Sequence, residues 1–191
     1  LAPGTQMSDP TALARVAEAR LAPWLKDGAP TPQLAAEDRR LLEPALLYLG
    51  YIRAIPHLDG LIERQSKQAA PVAVPFADEV IGDLVRSGFG QERAARYFAL
   101  YFQLRRGFYF LLRSLAGECD SMRRLREALW NNLFTHHMRA FEAALWNRME
   151  DFSTLVLGET GSGKGQPAAA IGRSAYIPFL PETHRFAANF S

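Results

Sequence analysis

Residues 153–165 read Ser-Thr-Leu-Val-Leu-Gly-Glu-Thr-Gly-Ser-Gly-Lys-Gly, and the junction in the middle of this stretch decides what the second part of the chain should be. After Ser153, residues 154–157 are β-branched or apolar without alternation. That pattern predicts a strand covered on both faces, as in a parallel sheet. Directly after it stand Gly158, Glu159, Thr160, Gly161, Ser162, Gly163, Lys164 and Gly165, a G-x-x-x-x-G-K pattern. Glycines suit a loop whose backbone N–H groups turn inward around an anion, because the dihedral angles required are ones that a Cβ resists. Lys164 adds a mobile point charge suited to the β- and γ-phosphates of a nucleotide. Residues 165–172 should form a helix whose N-terminus directs its partial positive charge at the same anion.

Working outward, the preceding residues read as all-α up to about position 114. Ser8 or Asp9 with Pro10 starts a helix carrying Leu13, Val16, Leu21 and Trp24 on or near one face. Thr31-Pro32 repeats the signal for a second helix with Leu34, Leu41, Leu42, Leu46 and Leu49, which Pro44 kinks or divides, and Pro56 opens a third. A short amphipathic helix through Phe76, Val80 and Leu84 ends at Gly88-Phe89-Gly90, and residues 91–115 make the longest helix. Beyond Gly117 two further helices are expected, over residues 122–132 and 135–149. The fold class is therefore mainly α: a helical part over residues 1–114, then an α/β phosphate-loop segment over 115–191.

Composition narrows the function classes. No apolar run in the 191 residues reaches the roughly 18 needed for a membrane helix. The single cysteine, Cys119, excludes an internal disulfide and a multi-cysteine zinc site, which fits a reducing cytoplasmic compartment. It is expected as a small buried filler. Leu1 in place of an initiator methionine is what an excerpt of a longer protein would show. Residues 86–148 hold eleven arginines against five acidic residues, interleaved with Tyr97, Phe98, Tyr101, Phe102, Phe108, Tyr109 and Phe110. The aromatics recur at three- and four-residue steps, so they read as a core face, with the arginines solvated or meeting acidic neighbours rather than nucleic acid. His136-His137 cannot share one helical face and has no ligand partner at metal spacing. Trp24, Trp130 and Trp146 read as core or interface anchors.

The chain has only three lysines, Lys26, Lys67 and Lys164, and one of them falls where the loop needs it. Position 165 is glycine, where a Ser or Thr hydroxyl would ordinarily hold Mg²⁺. With Ala168-Ala169-Ala170-Ile171-Gly172 after the loop and Gly117-Glu118-Cys119-Asp120-Ser121-Met122-Arg123-Arg124-Leu125 before it, the segment resembles the AAA+ ATPase domain of sigma-54-dependent transcription activators, the bacterial enhancer-binding proteins. In that family the loop reads G-E-[ST]-G-[ST]-G-K-E, and an opening G-x-S-x-x-M-x-x-[LV] segment precedes it. Cys119 stands here in the serine's place and Gly165 in the acidic residue's place. The spacing from Gly117 to the loop is longer than the family's by roughly four helical turns, which points to an inserted helix over residues 134–145.

The resemblance implies a cytoplasmic protein that binds ATP and Mg²⁺, assembles as a homo-oligomeric ring and hydrolyses ATP to remodel sigma-54 RNA polymerase holoenzyme. Lys164 would be its catalytic lysine and residues 158–165 its nucleotide contacts. The resemblance places the remaining ATPase motifs and a DNA-binding domain beyond Ser191, so these residues alone should not turn over ATP. Two other readings stay open. One is a P-loop ATPase of another branch, and the other a helical sensing or dimerisation module with a vestigial loop, since Gly165 lacks a metal-binding hydroxyl.

Overall fold

Pro10 opens the first helix, α1 (Pro10–Leu21), where its missing N–H is no loss. The computed structural model describes residues 10–26, 29–30, 35–115, 117–133 and 154–190. After α1 come a two-residue pair, β1 (Leu25–Lys26) with β2 (Ala29–Pro30), and then α2 (Ala36–Gln65), α3 (Ala77–Arg86), α4 (Gln91–Ser114), α5 (Asp120–Leu133) and α6 (Gly165–Gly172). A second antiparallel pair follows, β3 (Phe179–Leu180) with β4 (Arg185–Phe186), Phe179 lying opposite Phe186. The protein is mainly helical, and among its described residues no helix is long and apolar enough to cross a membrane.

Several expectations hold in detail. Gly88 takes the left-handed conformation (φ +98°) that ends α3, with its N–H on Val85 O and that of Phe89 on Leu84 O. In α4 the residues Tyr97, Phe98, Tyr101, Phe102 and Phe110 are all buried. Arg93 meets Glu43 and Arg105 meets Asp59, as the excess of arginine predicts.

Other expectations are corrected. Pro44 and Pro56 do not divide the second helix, which runs continuously over 30 residues. Both prolines are exposed, so a carbonyl deprived of its i+4 donor can be hydrated while the opposite side packs against α4. On α1 the packed residues are Ala14, Ala17 and Leu21, while Val16 (52% exposed) and, just beyond the helix, Trp24 (50%) face outward. Cys119 is exposed rather than a buried filler. Residues 154–157 belong to no strand, and Leu155 and Leu157 are more than 80% exposed. A strand buried on both faces needs parallel neighbours, and the described residues supply none. The expected helix over 135–149, with His136, His137 and Trp146, lies outside the described residues.

The core sits on α4 and draws on both sides of position 114. Phe186 stacks on Phe102 at 4.1 Å between ring centroids, Phe179 meets Phe98 edge-on at 5.1 Å, and Phe190 lies 5.3 Å from Phe110. Backbone and side-chain hydrogen bonds fasten the same segment to the loop between α2 and α3. The N–H of Val74 donates to His184 O at 2.9 Å, and Asn189 Nδ2 donates to Gln68 O at 2.7 Å. His184 makes the turn between β3 and β4 in a left-handed conformation (φ +49°).

Candidate functional site

The loop over residues 158–165 has the local form its glycines require. Gly161 (φ +83°) and Gly163 (φ +81°) are left-handed, which an L side chain would resist. Gly158 is needed for another reason: a Cβ there would stand 2.8 Å from Ser162 Oγ. That hydroxyl donates to Glu159 O at 2.8 Å, and the Ser162 N–H donates to the same carbonyl, closing a tight turn. Thr160 and the Glu159 side chain are exposed.

Lys164 folds across this turn. Its ammonium donates to Gly158 O at 2.9 Å and Glu159 O at 2.6 Å, so the cation rests on two carbonyls of its own loop. α6 begins at the next residue, and Pro167 and Ala170 bury its inner side. No hydrogen bond among the described residues uses the amides of Thr160, Gly161, Gly163, Lys164 or Gly165. The arrangement thus presents unspent donors, a helix N-terminus and an ammonium close together. An anionic oxygen is a better acceptor than the two neutral carbonyls, with charge-assisted bonds roughly twice as strong as neutral ones.

For a metal ion the local chemistry is thinner. Gly165 offers no side-chain oxygen, and among the described residues no group of His, Cys, Asp and Glu could hold an ion. The site's own donors therefore fit a phosphate chain, and a Mg²⁺ ion carried with it would be held by phosphate and water.

The far end of α6 holds two residues that sequence reasoning did not single out. Arg106 and Gln103 of α4 are both fully buried. Arg106 donates to Arg173 O at 2.8 Å and Ala175 O at 2.6 Å, and Gln103 donates to Ser174 O at 3.1 Å. Burial pulls the Arg106 guanidinium down from its ordinary value, to about 9. The available signal was a charge at i+4 from Phe102 and i−4 from Phe110, on the stripe that should be apolar.

A separate cavity of about 190 Å³ lies between α1, α2 and α3. Leu46, Leu49 and Leu84 line it with Glu18, Arg53 and Asp83, and Arg53 pairs with Glu18 at 2.7 Å. No protein-family model, curated protein or solved structure matches the chain.

Proposed function

We propose that residues 158–165 form a nucleotide-phosphate-binding loop and that the protein is a P-loop ATPase. Within that class the motif agreement favours a sigma-54-dependent transcription activator, cytoplasmic and ring-forming, that couples ATP hydrolysis to remodelling of sigma-54 RNA polymerase at a promoter and reaches DNA through a further domain. One observation carries the class: beside two left-handed glycines and the Lys164 ammonium, at the start of a helix, five backbone amides make no hydrogen bond among the described residues. Backbone donors would hold the phosphates, and Lys164 would exchange its two carbonyls for phosphate oxygens. Bound Mg²⁺ would supply charge neutralisation of the phosphate chain.

Titration of the protein with a fluorescent ATP analogue tests the class. Lys164→Ala should weaken binding at least tenfold, and unchanged affinity would rule the loop out. The activator reading is tested by ATP-dependent binding to sigma-54, which should vanish in the same variant.

A second reading, a helical sensing module with a vestigial loop, is favoured by the cavity between α1, α2 and α3. Its apolar floor and ionised rim suit a small amphipathic molecule. Arg53→Ala should then abolish the response to the signal while leaving nucleotide affinity as it is.

A further inference from the structure

Every arginine of α4 with a described ion pair has a carboxylate close by: Arg93 with Glu43, Arg96 with Glu92 and Arg105 with Asp59. Arg106 is different, since it is 0% exposed and no acidic side chain among the described residues reaches it. A buried cation without a counter-charge is costly unless its surroundings supply negative potential. Here that potential comes from the C-terminus of α6 and its extension, where three successive carbonyls, of Arg173, Ser174 and Ala175, point at α4. Phe102 and Phe190 add ring faces 4.5 and 5.5 Å from the guanidinium carbon. Ser174 is itself fully buried and donates to Ala170 O at 2.7 Å, stiffening the last turn.

The other end of the same helix carries the loop. Eight residues at 1.5 Å each make α6 a rod of about 12 Å. A rod of that length transmits a tilt or slide at one end to the other with little loss.

We infer that Gln103 and Arg106 are positioning residues for the phosphate loop: by holding the carbonyls at the C-terminus of α6 they fix the depth and direction of its N-terminus, so that the helical part of the protein regulates nucleotide affinity. The inference rests on the reading of residues 158–165 as a phosphate-binding loop. Linkage makes the effect reciprocal, so nucleotide at the loop tightens the grip on residues 173–175. A signal that shifts α4 would be read at the loop through this contact together with the packing of Ala170 in the core.

The test compares wild type with Arg106→Met, Arg106→Lys, Gln103→Met and Lys164→Ala, with Arg86→Ala as a surface control. Hydrogen exchange of amides 166–175 and affinity for a fluorescent ATP analogue are measured on each. Arg106→Met and Gln103→Met should speed exchange in 166–175 at least tenfold while the amides of α2 and α3 keep their protection. Both should weaken the analogue roughly fivefold or more, and Arg106→Lys should recover part of each effect. In wild type the analogue should slow exchange at residues 173–175, and in Arg106→Met it should not. Gln103→Met leaves the guanidinium in place and gives the answer should Arg106→Met not fold. Wild-type affinity in clamp variants that have lost protection of 166–175 overturns the inference while the loop reading stands, with Lys164→Ala weakened. Equal binding, or none, in wild type and Lys164→Ala overturns the loop reading, and the inference falls with it.

Discussion

Replacing Phe186 by alanine should cost about 3–5 kcal/mol, the range for removing a buried aromatic ring and leaving a partly collapsed cavity. The ring is 4% exposed, stacks on Phe102 at 4.1 Å and meets Phe179 at 5.4 Å and Phe98 at 5.6 Å, so three aromatic neighbours lose a partner at once. Against a total stability of about 5–15 kcal/mol this is roughly a fifth or more. At a urea dependence of about 2 kcal/mol per molar, the midpoint should fall by roughly 2 M. Equilibrium unfolding by far-UV circular dichroism reads the shift. Leu180→Ala, four positions before His184 on the exposed side of β3, should stay within about 0.5 kcal/mol. A cycle with Phe102→Leu should return a coupling of about 0.5–1.5 kcal/mol from the stacked pair. A Phe186→Ala midpoint within 0.5 M of wild type, with an unchanged slope, would mean that the segment after α6 does not cover α4.

Three further outcomes follow from local geometry. Gly165→Ser should be accommodated, since nothing lies within 4 Å of a Cβ built there, and it should make nucleotide affinity more dependent on Mg²⁺ by supplying a hydroxyl; titrations with and without the metal check this. Gly50→Ala should destabilise by about 1–3 kcal/mol, because its Cβ would stand 2.9 Å from the Tyr101 hydroxyl, which donates to Leu47 O at 2.6 Å. In a Tyr101→Phe background the obstacle is gone, and the same change should turn neutral or stabilising by up to about 1 kcal/mol through helix propensity, as urea unfolding of the four proteins would reveal. Burial raises the phenols of Tyr51 and Tyr101 and pushes Tyr176 up to about 12, so all three stay neutral in the fold above the ordinary value of about 10. Their contribution is fully present below pH 10 and is lost as pH rises through the folded values; the urea midpoint should therefore fall above pH 10, with part of the 295 nm phenolate absorbance appearing only on unfolding.

Helix positions were legible wherever apolar periodicity and end signals agreed. α3 with its glycine stop and α4 with its aromatic stripe fall within a residue of where the sequence puts them. The break expected at Pro44 failed because a proline on a solvated side gives up one hydrogen bond, while the packed side of α2 keeps Leu46, Leu47, Ala54, Leu58 and Leu61 buried. The loop's left-handed glycines and forward lysine were readable because spacing alone dictates them. Strand formation at residues 154–157 was not, since a sheet depends on neighbours that a local pattern does not contain. Arg106 was hidden for a related reason: its partners are backbone carbonyls 67 and 69 residues away, which no side-chain pattern announces.

The aromatic face of α4 has a consequence for biosynthesis. Phe179, Phe186 and Phe190, which cover it, are made some 65 or more residues after α4 is complete. At about 5–20 residues per second a ribosome needs roughly 3–15 seconds to deliver them. During that interval the nascent chain displays Phe98, Phe102 and Phe110 to solvent or to a chaperone, so the yield of folded protein in cell-free synthesis should rise when a holdase chaperone is added.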